Sequence, residues 1–167
     1  MQIEIELFAD HPGAIPTLAS WLYDEWSHRS PDGSPGGMEA ILKSRLNRDR
    51  LPLALIALAD GQPAGTVSLK IREIETLPKY ESWLGALYVH PDFRRKGIGA
   101  QLLQAAEETA RSLGIETLYL YTRHASTEDF YARLGWARLE EMIYSGNSAI
   151  VMGKSLVSNG ENFLVTN

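Results

Sequence analysis

The chain reads as a mixed α/β fold, and three observations carry that reading. Residues 2–7 alternate apolar Ile3, Ile5 and Leu7 with acidic Glu4 and Glu6, the period of a half-buried strand. Two apolar runs flank Asp60-Gly61, a hairpin signal. A strand, a helix and a second strand follow one another between residues 83 and 122, and such a crossover places its two strands parallel and near each other.

After the first strand, two helical segments follow. One carries Ile15, Leu18, Leu22 and Trp26 on one face, with Pro16 confined to its first turn; the next carries Met38, Ile41 and Leu42, with Leu46 as an extension. The Gly- and Pro-rich string from Ser30 to Gly37 between them reads as loop. The hairpin consists of residues 53–59 and 64–71, with Val67, Leu69 and Ile71 on one face and Thr66, Ser68 and Lys70 on the other. A polar connection over residues 73–82 leads to a strand over 83–89, a helix over 97–113 stopped by Gly114, and a strand over 117–122. A short helix over 126–134 is expected from the capping pattern Ser126-x-x-Asp129 and the stop at Gly135. Strands over 137–144 and 149–154 close a single domain of residues 1–154. Residues 155–167 form a tail in which Phe163-Leu164-Val165 is the segment able to dock or add a strand.

The most informative string is Arg94-Arg95-Lys96-Gly97-Ile98-Gly99, at the turn from strand to helix. A helix N-terminus presents unpaired amides and about half a positive charge, so three further cations there are unfavourable unless an anion binds. Glycines let backbone amides approach that anion closely. Two nucleotide motifs are excluded. No Gly-x-x-x-x-Gly-Lys string occurs, and the position three after Gly99, where a dinucleotide fingerprint needs glycine, is Leu102.

Composition narrows the function further. The 167 residues are 44% hydrophobic, enough for one core, and no run reaches the ~18 apolar residues of a membrane span. The acidic N-terminus is unlike a signal peptide, so a cytoplasmic location without membrane association is expected. The formal charge of -5 argues against a nucleic-acid surface, which leaves the 94–96 cluster as a local exception. The absence of cysteine removes disulfides and thiolate nucleophiles. Glu25-x-x-His28 has helical metal-ligand spacing but no second pair to complete a site, so no metal is expected.

The anion turn is preceded by Leu87-Tyr88-Val89-His90-Pro91 and followed by Phe130-Tyr131-Ala132-Arg133-Leu134-Gly135-Trp136. In this combination the chain resembles the GNAT superfamily of N-acetyltransferases, closely over residues 53–154 and in element order alone over the first 50. The resemblance implies a twisted, mostly antiparallel sheet in which the strand before the turn is splayed from its parallel neighbour. It implies that acetyl-CoA is the cosubstrate, its pyrophosphate held by Arg95, Lys96, Gly97, Ile98, Gly99 and Ala100, with Arg94 as a further basic contact. Pantetheine would lie along Leu87, Tyr88 and Val89 in the manner of an added strand, with Phe130 beside it. Tyr131 matches the family's tyrosine near the sulfur, and it also reads as core packing beside Phe130 and Leu134. His124 stands where the family often has a cofactor-contacting asparagine.

The reaction so implied is direct attack of an amine, from a small molecule or a peptide, on the thioester in a ternary complex. The other enzymatic readings are a different acyl group or an oxygen acceptor, and the non-enzymatic one is a CoA-binding regulatory module. An alkylammonium of pKa near 10.4 must lose a proton first, so a base or a desolvating pocket is needed. Glu81, just before the strand over 83–89, is the leading candidate, with Glu73 and Glu75 as alternatives. Trp83 and Tyr80 read as core that is also placed to line an acceptor pocket. The sequence names no acceptor, and a homodimer is compatible with it.

Overall fold

The structure, a computed structural model, describes residues 1–27, 30 and 32–157. Its centre is a strand with no polar face. Strand β2 (Leu53–Ala59) is buried at every position. Leu53, Leu55, Ala57 and Ala59 face one core, while Ala54, Ile56 and Leu58 face another. The period-two alternation of a strand sends successive side chains to opposite faces, so an all-apolar run means layers on both sides. On one face lie α1 (Ile15–Trp26) and α2 (Pro35–Lys43), and on the other lies α3 (Ile98–Ser112).

Among the described residues the sheet runs in the order β1 (Ile3–Leu7), β2, β3 (Gln62–Ile71), β4 (Ser82–Val89), β5 (Thr117–Thr122), β7 (Asn147–Ser155), β6 (Ala137–Tyr144). Every neighbouring pair is antiparallel except β4 and β5, as the crossover through α3 requires. Asp60 and Gly61 both have positive φ, 48° and 82°, the twisted two-residue turn that an Asp-Gly dipeptide favours. Helix α3 buries Ile98, Leu102, Leu103, Ala106 and Ala110 at helical spacing, each large side chain contributing about 1.5–3 kcal/mol.

Several boundaries differ from the sequence reading for identifiable reasons. Pro35, Gly36 and Gly37 open α2 instead of ending the loop. Ser34 Oγ accepts from Gly37 N at 3.1 Å, and Pro35 occupies the first turn, where its missing N–H costs nothing. Leu46 lies beyond that helix and bridges Leu53. Helix α4 (Ala125–Arg133) starts one residue early. The His124 carbonyl accepts the first helical bond from Glu128 N, and no side chain caps it. The carboxylate of Glu128 is instead taken by Arg138 at 2.7 and 3.1 Å, which holds it below the usual carboxylate range. Strand β7 continues to Ser155, and Leu156 is buried with its N–H on Glu116 O at 2.7 Å. The expectation for Phe163-Leu164-Val165 lies outside the described residues.

Candidate active site

The two parallel strands touch at one place only. β4 and β5 pair at Trp83 and Tyr119, and beyond that point their C-terminal halves diverge. The divergence begins at a bulge. Thr66 pairs with Tyr88 and Ser68 with Gly85, so two residues of β4, Ala86 and Leu87, stand opposite Val67 alone. Ala86 takes φ 51°, a left-handed conformation costing roughly 1–2 kcal/mol for a residue with a Cβ. Strain of this kind persists where the surroundings enforce it, and here it bends β4 away from β5. His90 N donates to Ala64 O at 2.9 Å, so the alternation of the ladder turns the Val89 amide away from β3 and toward the gap.

The gap leads to the cationic turn. Gly97 caps α3 with φ 79°, in the left-handed region, and Arg95 has φ 63°. No side chain caps α3, no acidic residue sits in its first turn, and the amides of residues 95–100 have no protein acceptor among the described residues. Arg95 and Lys96 are exposed. Arg94 is fixed by its Nε donating to Val89 O at 2.8 Å, with its guanidinium 5.6 Å from the Tyr88 ring centroid. Val89, Gly97, Ile98, Gly99, Ala100 and Phe130 line the concavity beside this turn. A Cβ on Gly99 would meet Val89 Cγ2 at 3.9 Å and Phe130 Cζ at 4.0 Å, ordinary contacts. Nothing in the protein requires glycine there, and the space above it suits a phosphate held by the helix end.

Two confluent cavities occupy the other end of the gap. One, of about 300 Å³, lies between the diverging strands and is lined by Gly85, Ala86 and Leu87 of β4, by Leu120 to Thr122 of β5, and by His124, Thr127 and Tyr131. The other, of about 370 Å³, lies on the α1–α2 face and reaches Leu22, Met38, Ile41, Arg45, Tyr144 and Ser145. Trp26, Lys70, Glu73, Ala86, Tyr121 and Arg123 belong to both. The Tyr131 hydroxyl has no hydrogen-bond partner among the described residues and opens into the first cavity. Burial pushes its pKa up to about 12, so it is a neutral phenol across the physiological range. Tyr88, by contrast, points to the α1–α2 core, its ring centroid 6.0 Å from that of Trp21.

The candidate bases separate clearly. Glu81 is not brought to either cavity: it lies two residues before the single paired position, while the gap opens after it. There its carboxylate is exposed and doubly bonded to Arg72 at 2.9 and 3.2 Å. Glu75 is exposed and lines neither cavity. Glu73 lines both, half-buried, and accepts from Lys70 Nζ at 3.2 Å. Trp83 and Tyr80 also stay outside the cavities. Trp83 is fully buried, and Tyr80 stacks on Tyr119 with centroids 4.3 Å apart. Sequence reasoning missed Arg45 and Arg123, whose places in the cavity depend on tertiary contacts with no local signature.

A parallel strand gap beside an uncapped, cationic helix end is the arrangement that the resemblance to the GNAT superfamily implies. A profile described as the Acetyltransferase (GNAT) family matches residues 15–136. An uncharacterized N-acetyltransferase of Lactobacillus delbrueckii subsp. lactis is 26% identical over 125 residues, covering 68% of this chain and 72% of that protein. PaiA N-acetyltransferase from Thermoplasma acidophilum, solved in complex with coenzyme A, superposes with a TM-score of 0.65 at 26% identity over 93% of this chain and 99% of that one. An aminoglycoside 6'-acetyltransferase type Ii superposes with a TM-score of 0.72 at 21% identity over 95% and 99%. The chain belongs to the GNAT family of acetyltransferases and transfers acetyl from acetyl-CoA to an amine.

Proposed function

We propose that residues 1–154 form one catalytic domain in which Glu73 removes the proton of the acceptor amine and Tyr131 donates to the departing sulfur. The observation that carries this reading is the position of Glu73, the only carboxylate common to both cavities among the described residues. When bound, acetyl-CoA supplies the thioester carbon to which the amine nitrogen bonds as the carbon–sulfur bond breaks and the thiolate leaves. Residues 95–100 hold the pyrophosphate through backbone amides, and Arg94 to Lys96 add charge. The Val89 amide, turned into the gap, serves as a donor to the thioester oxygen. Leu87, His124 and Phe130 flank the pantetheine path.

Glu73 sits on the α1–α2 side and Tyr131 on the α3–α4 side, so proton removal and proton donation occur on opposite faces of the strand gap. Burial makes Tyr131 a donor at every working pH but disfavours its phenolate, because a phenol at about 12 is a weak acid toward a thiolate of a thiol near 8.5. Its contribution is therefore a hydrogen bond that strengthens as charge develops on sulfur, with full proton transfer late. Two features support direct attack. The cavities meet at the gap, and no thiol is available to carry the acetyl group.

The experiment compares pH–rate profiles of the wild type, Glu73→Gln and Glu81→Gln on the best acceptor from an amine screen. Glu73→Gln is expected to depress kcat/KM most at low pH, where unprotonated amine is scarce, while Glu81→Gln superimposes on the wild type. A Glu73→Gln profile parallel to the wild type overturns the assignment.

A further inference from the structure

The cavity on the α1–α2 face has the wrong charge for a cationic acceptor. Among the described residues its ionisable lining is Arg45, Lys70 and Arg123 against the single carboxylate of Glu73. Glu73 is already engaged by Lys70 at 3.2 Å. Glu25, on α1, lines the confluent cavity and not this one. Among the described residues the two guanidinium groups have no carboxylate within ion-pair distance. Arg45 Nη1 donates to Ser68 Oγ at 2.9 Å. Arg123 donates to the main-chain carbonyls of Tyr144, Asn147 and Ser148 at 3.1–3.2 Å, and its guanidinium lies 5.3 Å from the Tyr121 ring centroid. Burial lowers the Arg45 pKa, opposed only in part by Glu73, so this cation is held in a site that disfavours its charge. Uncompensated guanidinium charge at reduced hydration is costly, and a carboxylate relieves it with paired hydrogen bonds.

We infer that the acceptor is an amine carrying carboxylate, with its anionic group on Arg45 and Arg123 and its amine directed along the shared wall toward Glu73. This rests on the reading of the site given above and adds the acceptor class. The cavity of about 370 Å³ admits an amino-acid-sized group. Two cations beyond the Lys70–Glu73 pair match an acceptor with two carboxylates, or with one carboxylate at an acidic chain end. The same charges help the chemistry. A positive cavity disfavours ammonium, so the amine arrives at Glu73 closer to its nucleophilic form, while polyamines and aminoglycosides are repelled. The molecule's overall charge of -5 points the opposite way and is overruled locally.

The test measures CoA release and acetylated product with isosteric pairs: aspartate against asparagine, glutamate against glutamine, and short peptides beginning with each. Spermidine and an aminoglycoside form the cationic arm. Expected are kcat/KM values at least ~10-fold higher for the acidic member of each pair, with the free amino acids and the peptides telling the two sources of carboxylate apart. Arg45→Gln is expected to erase that ratio through KM, with Arg45→Lys keeping part of it. Equal rates within pairs, preference for the cationic arm, or an Arg45→Gln enzyme that retains the ratio each overturns the inference, as does the absence of turnover with every acidic amine. Calorimetry with acetyl-CoA separates the two levels: tight binding with the wrong acceptor preference sinks only the acceptor class, whereas absent binding sinks the underlying reading.

Discussion

The two cationic regions of this molecule are built in opposite ways. The turn at 94–100 is continuous in sequence and relies on unpaired amides of a helix end, with Arg95 and Lys96 left exposed. The α1–α2 cavity is assembled from side chains far apart in the chain, Arg45, Lys70 and Arg123, and holds Arg45 partly desolvated. Backbone amides cannot be discarded by substitution and serve the part of the reaction common to a family. Side chains are replaceable, and they serve the part that differs from one family member to the next.

The comparison breaks most easily at the turn. Gly99→Val puts a side chain into the proposed pyrophosphate site, yet its Cβ meets only ordinary contacts and its backbone is not left-handed, so the fold is kept. Losing two charge-assisted hydrogen bonds at ~1.5–3 kcal/mol each predicts a fall in CoA affinity of roughly 10²–10⁴-fold by calorimetry, with an unchanged circular dichroism spectrum. Unaltered affinity in the folded variant would show that the helix end does not hold the pyrophosphate.

How much of each region the sequence disclosed follows from the same contrast. The turn was legible because consecutive residues carry it: the three cations, Gly97 at a left-handed cap and the apolar start of α3 all fall within six positions. The β2–β3 hairpin and the parallel pair were legible from the Asp-Gly turn and the crossover rule, whereas the placement of β7 between β5 and β6 has no local sign. The bulge was not. Ala86 gives no local sign of a left-handed conformation, and only the pairing of β3 with β4 reveals it. Glu73, Glu75 and Glu81 are equivalent in a polar connection until the strands are paired. Pairing shows that the gap opens after Trp83, which leaves Glu81 at the closed end with Arg72 and puts Glu73 beside Lys70. Lys70 in turn reaches that place by crossing Gly85, where an added Cβ would sit 2.9 Å from its Nζ.

A smaller effect sharpens the comparison on the side of the gap remote from the acceptor. Tyr131→Phe removes a hydroxyl that makes no hydrogen bond among the described residues, so the cost is confined to the transition state. One hydrogen bond to a developing thiolate, worth ~1.5–3 kcal/mol, predicts a drop of about 10- to 150-fold in kcat with acetyl-CoA affinity within twofold of the wild type. Single-turnover and steady-state rates measured together check it, and a full-rate variant returns Tyr131 to core packing beside Phe130 and Trp136.

The same burial that sets the acidity of Tyr131 has a consequence for stability at alkaline pH. Its folded-state pKa, pushed up to about 12, lies above the ordinary 10.0, so the native state binds more protons than the unfolded state across that interval. A raised pKa contributes stability that is fully present below pH 10 and is lost as pH rises through the folded value, with a slope of about 1.4 kcal/mol per pH unit between the two. Tyr80 and Tyr88 are raised as well, chiefly by burial, and add to the same decline. Urea midpoints of the wild type are therefore expected to fall between pH 10 and 12. In Tyr131→Phe the fall is expected to be shallower by ~2–3 kcal/mol in total, because phenylalanine has no proton to lose. Near pH 8 the two proteins should differ little, since the lost hydroxyl has no partner among the described residues. Parallel declines in both would mean that Tyr131 ionises at its ordinary pKa, and hence that water reaches its hydroxyl freely through the strand gap.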